Sequence, residues 1–272
     1  MSKKEPSTEW SRRQLLTALG GVAGFAVVIV VGLGYAVAHA LTADSTSGSA
    51  SSTTPQKVWP ADTAGVRGQD YRDDIAAQVM LESTAEDMKP AAPALDRPDR
   101  IQIDSPAAVG PTNVPTGFPH TPEGAVGQLG AITVATLNSM SLEYARDVYD
   151  AWAAPGADFT TWELAKSIQA FHTNAGTVDG DTSVSVSTTP VGAQIKGTDG
   201  PDWVLACVQL DVTAVVVEHV RFGYGHCERM AWSGNGWIIA AGTPPAPAPS
   251  TWPASQRSLD AGWKLWISDE VD

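Results

Sequence analysis

Basic residues are scarce in this chain. The 272-residue sequence contains 17 Lys and Arg against 30 Asp and Glu, which gives a formal net charge of −13 at pH 7. Proteins that bind nucleic acid use clustered Lys and Arg to neutralise phosphates. The composition therefore excludes direct nucleic-acid binding as the main activity. It is typical of a domain that stays soluble beside an anionic membrane, although acidity is equally compatible with a general solubility trait.

The sequence motifs of common enzyme classes are also missing. The chain contains no G-x-x-x-x-G-K-[ST] phosphate loop, no G-x-S-x-G and no H-E-x-x-H. Four of its histidines are scattered without the order of a catalytic triad (His120, His172, His219, His226). A metal site at His226 and Glu228 with Cys227 is disfavoured because neighbouring residues of a strand point to opposite faces. The sequence predicts no cofactor and no metal site, and it favours a binding or scaffold module over an enzyme.

Two other function classes stay open. An envelope enzyme, such as an isomerase, would need a buried carboxylate, and Asp211 in the middle of a predicted strand is the candidate base. A mid-strand acid more often faces solvent. A small-ligand or lipid-binding accessory protein would need an apolar pocket between helices and sheet.

Charged residues are absent from residues 15–41, most of which are Ala, Val, Leu, Ile or Gly. About 20 apolar residues span a bilayer, so this run predicts a transmembrane helix. The first charge after it is Asp44, whereas four basic residues precede it (Lys3, Lys4, Arg12, Arg13). By the positive-inside rule, residues 1–14 form a cytoplasmic tail and the rest of this single-pass membrane protein is extracytoplasmic.

The same region also resembles an export signal. Arg12 and Arg13 followed by Leu15 and Leu16 are similar to the core of a twin-arginine signal. Residues 38–40 (Ala-His-Ala) have the small-x-small form that signal peptidase cuts, so cleavage after Ala40 is the alternative to a retained anchor. The apolar run exceeds the 7–15 residues of a usual signal core, which favours retention. Both interpretations place the remaining chain outside the cytoplasm.

Residues 42–117 are rich in Ser, Thr, Ala and Pro. Such composition buries too little surface to offset chain entropy, so it predicts a flexible linker. Within it, Ile75 and Val79 lie at helical spacing, which indicates a short helix near 71–82. This segment is interpreted either as a transient helix or as one that docks on a partner or a neighbouring copy.

The hydrophobic period changes within residues 118–243. Three helices are predicted: one begins at Thr121-Pro122-Glu123, one follows Ser141, and one covers 162–171 and ends near Gly176. Period-2 alternation then predicts strands at 183–187, 193–195, 203–217, 220–232 and 237–241. The order predicts an α+β domain with helices packed on one face of a curved antiparallel sheet. Residues 244–272 are predicted to form a Pro-rich arm and a C-terminal helix at 252–266.

Cys207 and Cys227 are the two cysteines of the sequence, and they lie on neighbouring predicted strands. If the hairpin turns near Val217, their midpoint, they face each other at disulfide distance. Export into an oxidising compartment favours the bond. Two reduced core thiols are the alternative.

Several strings along the chain resemble one protein family. They are residues 116–125 (TGFPHTPEGA), residues 195–197 (IKG), Cys207-Val208, residues 227–230 (CERM) with Trp232 and Trp237, and residues 246–253 (APAPSTWP). In order and spacing they resemble single-pass membrane proteins carried by actinobacterial integrative and conjugative elements. The resemblance covers Thr116 to the C-terminus and the anchor arrangement.

The plan of the chain is also similar to the bitopic inner-membrane scaffold proteins of type IV secretion systems, which carry a nuclear transport factor 2-like, cone-shaped domain outside the membrane. The resemblance implies a scaffold subunit of a conjugative DNA-transfer apparatus. It implies partners among the membrane and secretion-channel proteins, and self-association. It transfers no catalytic residue. The linker is longer than such scaffolds usually need, and fold analogy alone is a weak guide to function.

Overall fold

A computed structural model describes residues 59–181, 183–216 and 218–268 of the chain. The predicted cytoplasmic tail, the predicted transmembrane helix at 15–41 and the first part of the predicted linker lie outside these residues, as do Arg12 and Arg13. Among the helices that are described, none has the length and apolar character needed to cross a membrane.

The described residues form an α+β fold. Its helices are α1 (Gln69–Ala77), α2 (Pro122–Ser139), α3 (Leu142–Trp152), α4 (Glu163–Ala175) and α5 (Gln256–Asp260). Its strands are β1 (Arg100–Ile103), β2 (Ala108–Val109), β3 (Pro115–Thr116), β4 (Ser185–Thr198), β5 (Trp203–Val215), β6 (His219–Trp232), β7 (Trp237–Ile239) and β8 (Lys264–Ser268). Short 3₁₀ turns occur at Pro111–Asn113 and Phe159–Thr161.

Six strands form one sheet in the order β1-β8-β4-β5-β6-β7. β1 and β8 pair in parallel, and the other neighbours pair antiparallel. β2 and β3 form a separate two-stranded ribbon. This arrangement confirms the predicted class of helices combined with a large, mostly antiparallel sheet.

The three central helices begin and end where the sequence predicts. The Thr121 hydroxyl accepts a hydrogen bond from the Gly124 N–H at 3.0 Å, and the Ser141 hydroxyl accepts one from the Tyr144 N–H at 3.3 Å. Gly176 ends α4 in the left-handed conformation, which glycine adopts without steric strain. These local signals are sufficient to place α2, α3 and α4.

β5 is the centre of the core because both of its faces are covered. Its even-numbered residues pack with α2, α3 and α4, as the predicted alternation requires (Val204, Ala206, Val208, Leu210, Val212, Ala214). On the opposite face, Trp203 and Leu205 pack against Ile75 and Ala76 of α1. Cys207 on this face joins a second cluster with Trp263. The sheet is therefore sandwiched between the three helices and the chain termini of the described region.

The N-terminal strap, residues 59–89, covers this second face of the sheet. Ile75 and Ala76 are 4% and 1% exposed on this face, and the chain continues into β1, where Ile103 is fully buried. The prediction of a flexible linker is therefore wrong for residues 59–117. A few apolar residues spaced along this Pro-rich segment are enough to hold it on the fold, because each one packs on a complementary surface of the sheet. Composition alone does not predict this complementarity.

Three other boundaries differ from the predictions. The helix expected near 71–82 exists but ends at Ala77, which leaves Val79 83% exposed. The expected strands at 183–187 and 193–195 are one strand, β4, interrupted by two register shifts. The expected C-terminal helix is reduced to α5, since Gly262 turns the chain at a φ of +81° and β8 then pairs with β1 and β4. The folded unit consequently extends beyond residues 118–243 on both sides.

Candidate functional site

Cys207 and Cys227 form a disulfide, and the register of β5 and β6 places them directly opposite each other with a Cα–Cα distance of 4.0 Å. This confirms the predicted bond over the alternative of two reduced core thiols. Ala248, Ala261 and Trp263 surround the bond, and Met80 and Leu81 of the strap pack against it. The position is structural, since it fastens two central strands beneath the strap.

Asp211, the candidate base, lies in a surface ion pair, whereas a general base would need to line a substrate cavity. Its carboxylate forms an ion pair with the guanidinium of Arg221 on the neighbouring strand, where Arg221 Nε donates to Asp211 Oδ1 at 2.8 Å. Arg221 is largely exposed, and it also lies over the ring of Trp252. Asp211 is thus part of a surface cross-strand pair, and the structure does not bring it into a cavity.

The space between the three helices and the sheet is nearly filled. The cavity bounded by Leu137, Phe171, Phe222 and Tyr224 measures about 20 Å³ and is apolar. A water molecule needs at least about 10–15 Å³ measured in this way. This space is therefore too small for an organic substrate, in contrast to the pocket that a small-ligand protein of this layout would need.

A much larger concavity lies on the outer side of α2. This α2–β8 groove measures about 640 Å³, and its lining includes Phe118, Ala131, Val134, Pro190 and Trp266. Asp104 is the charged residue in the lining. The groove is thus a mainly apolar, weakly acidic surface of a size suited to a peptide segment or a lipid chain.

Two glycines of α2 shape this groove. A Cβ on Gly127 would lie 2.5 Å from the ring of Phe118, and one on Gly130 would lie 2.9 Å from the ring of Trp266. Because both positions lack a side chain, the two aromatic rings lie directly on the helix. They form the walls of the groove, while Ala131 and Val134 remain partly exposed at its base.

A second, smaller cavity contains buried acids. This acid cavity measures about 50 Å³ and lies between α3, α4 and residues 224–228 of β6, which do not pair with β7. The Pro-rich residues 244–248 line its other side. His226 and Glu228 line it from β6, and Glu163 lines it from the start of α4. His226 Nε2 lies 3.6 Å from Glu228 Oε2. Residues two apart on a strand share a face, which explains their proximity.

Burial sets the ionisation of these side chains. It raises the pKa of Glu228 to about 7, assisted by the charge of Glu163, while the Arg229 N–H, the Trp162 indole and the Arg229 charge act in the opposite direction. It also raises the pKa of Glu163 and lowers the pKa of His226 to about 3. At neutral pH His226 is therefore uncharged, and Glu228 exchanges between its protonated and ionised forms.

The acid cavity was missed by the sequence analysis. The pattern placed His226 and Glu228 on one strand, but nothing in it indicated that α4 would bring Glu163 to the same point. Two of the other predicted histidines lie elsewhere: His120 pairs with Asp202 at the surface at 2.7 Å, and His172 contacts the backbone at the end of α2. In the part of the chain that is described, no group of His, Cys, Asp and Glu has the geometry of a metal site.

Comparison of the chain with protein-family models, with curated proteins and with solved structures gives no match in any of the three.

Proposed function

We propose that this chain is a membrane-anchored, extracytoplasmic scaffold subunit whose α2–β8 groove binds another membrane protein of a conjugative DNA-transfer apparatus similar to type IV secretion. In this proposal the apolar run at 15–41 holds the chain in the membrane, and residues 42–58 connect it to the folded unit. The helices and the sheet, curved into a cone as in the nuclear transport factor 2-like fold, form a rigid support and not a ligand container.

One observation carries the proposal. The cavities between helices and sheet measure only about 20 and 50 Å³, whereas the outer α2–β8 groove offers about 640 Å³ of mainly apolar surface. Contiguous exposed apolar surface is typical of an interaction site. The absence of catalytic motifs in the sequence is consistent with this function.

The chemistry of the groove limits the partner. Its lining carries the carboxylate of Asp104, and β8 ends beside it at Ser268, where the sequence continues as Asp-Glu-Val-Asp. A complementary segment would therefore be apolar in the middle with a basic residue at one end. A second copy of this chain is a weaker candidate, because its net charge of −13 would repel an identical neighbour.

In-cell photocrosslinking tests the groove. A photoreactive residue at Val134 of the full chain should capture a membrane protein, whereas one at Thr173, an exposed position of α4, should not. Ala131→Glu would place a carboxylate in the apolar contact and should lower DNA-transfer frequency by about tenfold or more. Thr173→Glu is its matched control.

The alternative is an envelope protein that binds a lipid or another small ligand, which the volume of the groove also permits. Capture of lipid alone at Val134 would favour it, and equal capture at Val134 and Thr173 would refute the groove as a docking site. The membrane arrangement is tested separately. A reporter fused after Trp266 should be active only outside the cytoplasm, and activity inside would contradict the proposed orientation.

A further inference from the structure

Two buried acceptors face each other in the acid cavity. His226 Nε2 has no hydrogen-bond partner among the described residues, and it lies 3.6 Å from Glu228 Oε2. The two side chains are 2% and 10% exposed. When Glu228 is ionised and the proton of neutral His226 is on Nδ1, both facing atoms accept hydrogen bonds and neither donates one. A buried carboxylate is unfavourable unless its charge is compensated. The Arg229 N–H donates to Glu228 Oε1 at 3.2 Å, which leaves Oε2 as the carboxylate oxygen that faces His226.

The nearest cationic side chain is directed elsewhere. Arg229 follows Glu228 on β6 and points to the opposite face, where its Nη1 lies 2.7 Å from Asp73 Oδ1 and its Nε donates to the Thr243 carbonyl. The titratable residues that line the cavity are Tyr149 from α3, Glu163 from α4, and Tyr224, His226 and Glu228 from β6. No Lys or Arg is among the described residues of this lining. The described lining of the cavity thus holds two carboxyl groups, Glu163 and Glu228, and no cationic side chain.

We propose that the acid cavity binds a small primary ammonium cation, of the size of ammonium or methylammonium, between Glu228 and His226. One N–H of the cation donates to Glu228 Oε2 and a second donates to His226 Nε2. Tyr149 and Trp162, whose ring centroids lie 4.8 Å apart, line the same space, and aromatic rings attract cations. The site is separate from the α2–β8 groove and does not depend on the function proposed for it.

The volume restricts the ligand. The cavity of about 50 Å³ has room for a few water-sized groups. Ammonium is similar in size to water, and methylammonium adds one methyl group. Tetramethylammonium is too large and has no N–H to donate. This difference provides a ligand control that requires no change to the protein.

Thermal unfolding of the full-length chain at pH 8 tests the site, since Glu228 is mainly ionised there. Methylammonium chloride at about ten times its Kd should raise the unfolding temperature by about 3 to 5 °C over tetramethylammonium chloride at equal ionic strength. Ammonium chloride should act in the same direction. Equal unfolding temperatures in all three salts would mean that water alone fills the cavity, and would overturn the proposal.

Two variants locate the effect. Glu228→Gln removes the anionic acceptor and should abolish the difference between methylammonium and tetramethylammonium, whereas Glu143→Gln, at an exposed position of α3, should retain it. A methylammonium effect that persists in Glu228→Gln would place binding elsewhere and contradict the assignment. If Glu228→Gln fails to fold, the comparison of salts on the unaltered chain still decides the question.

Discussion

Asp199 and Lys196 hold opposite ends of α1. The carboxylate of Asp199 accepts hydrogen bonds from the N–H groups of Arg67 and Gly68 at the N-terminus of the helix. The Lys196 ammonium donates to the carbonyl of Gln78, just after the C-terminus. Each charge opposes the partial charge of the helix end that it contacts. The C-terminal end of β4 and the residue that follows it therefore clamp the N-terminal strap to the sheet at two points.

Replacing Asp199 should release this clamp. The carboxylate is fully buried and also forms an ion pair with Arg72, whose Nε lies 2.7 Å from Asp199 Oδ2. Asp199→Asn leaves these donors poorly matched and should lower the free energy of unfolding by about 2–4 kcal/mol. Urea unfolding measures the loss. Asp70→Asn, at an exposed position of the first turn of α1, should lower it by less than about 1 kcal/mol; equal losses would refute the clamp.

The Asp199 carboxylate also makes the stability of the clamp depend on pH. Burial alone would raise the pKa of Asp199, but donation by Arg67, Arg72 and Gly68 holds it below its usual value. Because the folded pKa is lowered, the carboxylate stabilises the fold at pH values above its unfolded pKa of about 4. This stabilisation is lost as the pH falls through the folded pKa. Proteolysis of the strap should therefore increase on acidification below pH 4 in the wild-type chain. In Asp199→Asn it should already be high at pH 7.

Gly223 of β6 lies against the backbone of the C-terminal arm. A Cβ at this position would be 1.9 Å from the Thr251 carbonyl oxygen, so the arm would have to move. Gly223→Ala should lower the free energy of unfolding by about 2–4 kcal/mol, measured by urea unfolding. At Gly236 the nearest atom to a Cβ is 3.9 Å away. Gly236→Ala should therefore change stability by no more than about 0.5 kcal/mol, and a similar loss in both variants would contradict this account.

Local signals predicted the parts of the fold that depend on neighbouring residues. Thr121 and Ser141 accept the capping bonds that their positions before α2 and α3 indicate. The even-numbered side chains of β5 face the helices, as alternation indicates. The disulfide was predicted from a hairpin turn placed midway between the two cysteines. Each of these features is determined within about 20 residues of sequence.

The errors concern contacts between distant segments. Ile75 packs on Gly197, where a Cβ would lie 2.9 Å from its side chain, and this fit is formed only in the folded chain. β8 reads as part of an amphipathic helix through Trp263 and Trp266, but it gains backbone pairing with β1, which the Pro-rich composition had assigned to a linker. Glu163 and Glu228 share a cavity for the same reason. Their proximity depends on how α4 packs on β6, and neither local pattern specifies that.

The disulfide should contribute measurably to stability. Cys207 and Cys227 are separated by 20 residues, and closing a loop of this length stabilises the fold by about 3 kcal/mol in the chain-entropy model. Cys207→Ala/Cys227→Ala should therefore unfold at lower urea concentration than the oxidised chain. Reductant should destabilise the wild-type chain and leave the double variant unchanged.

Thiol labelling checks the same bond in the intact chain. Because Cys207 is fully buried and Cys227 nearly so, labelling should require both reduction and denaturation. Labelling of denatured but unreduced chain would show that the thiols are free, and would contradict the bond.

Glu228 should destabilise the fold as the pH rises. Its folded pKa of about 7 lies above the ordinary value of 4.5, so ionisation of the unfolded chain from pH 4.5 upward favours unfolding until the folded group also ionises near pH 7. The full shift corresponds to about 3 kcal/mol. Glu228→Gln, which resembles the protonated side chain, should match wild-type stability at pH 4 and exceed it by about 2–3 kcal/mol at pH 8. Urea unfolding in a buffer without amines measures this difference, and Glu143→Gln is the control that should follow the wild-type curve. A Glu228→Gln variant that tracks wild-type stability at every pH would mean that the carboxylate is solvated, and the acid cavity would lose its physical basis.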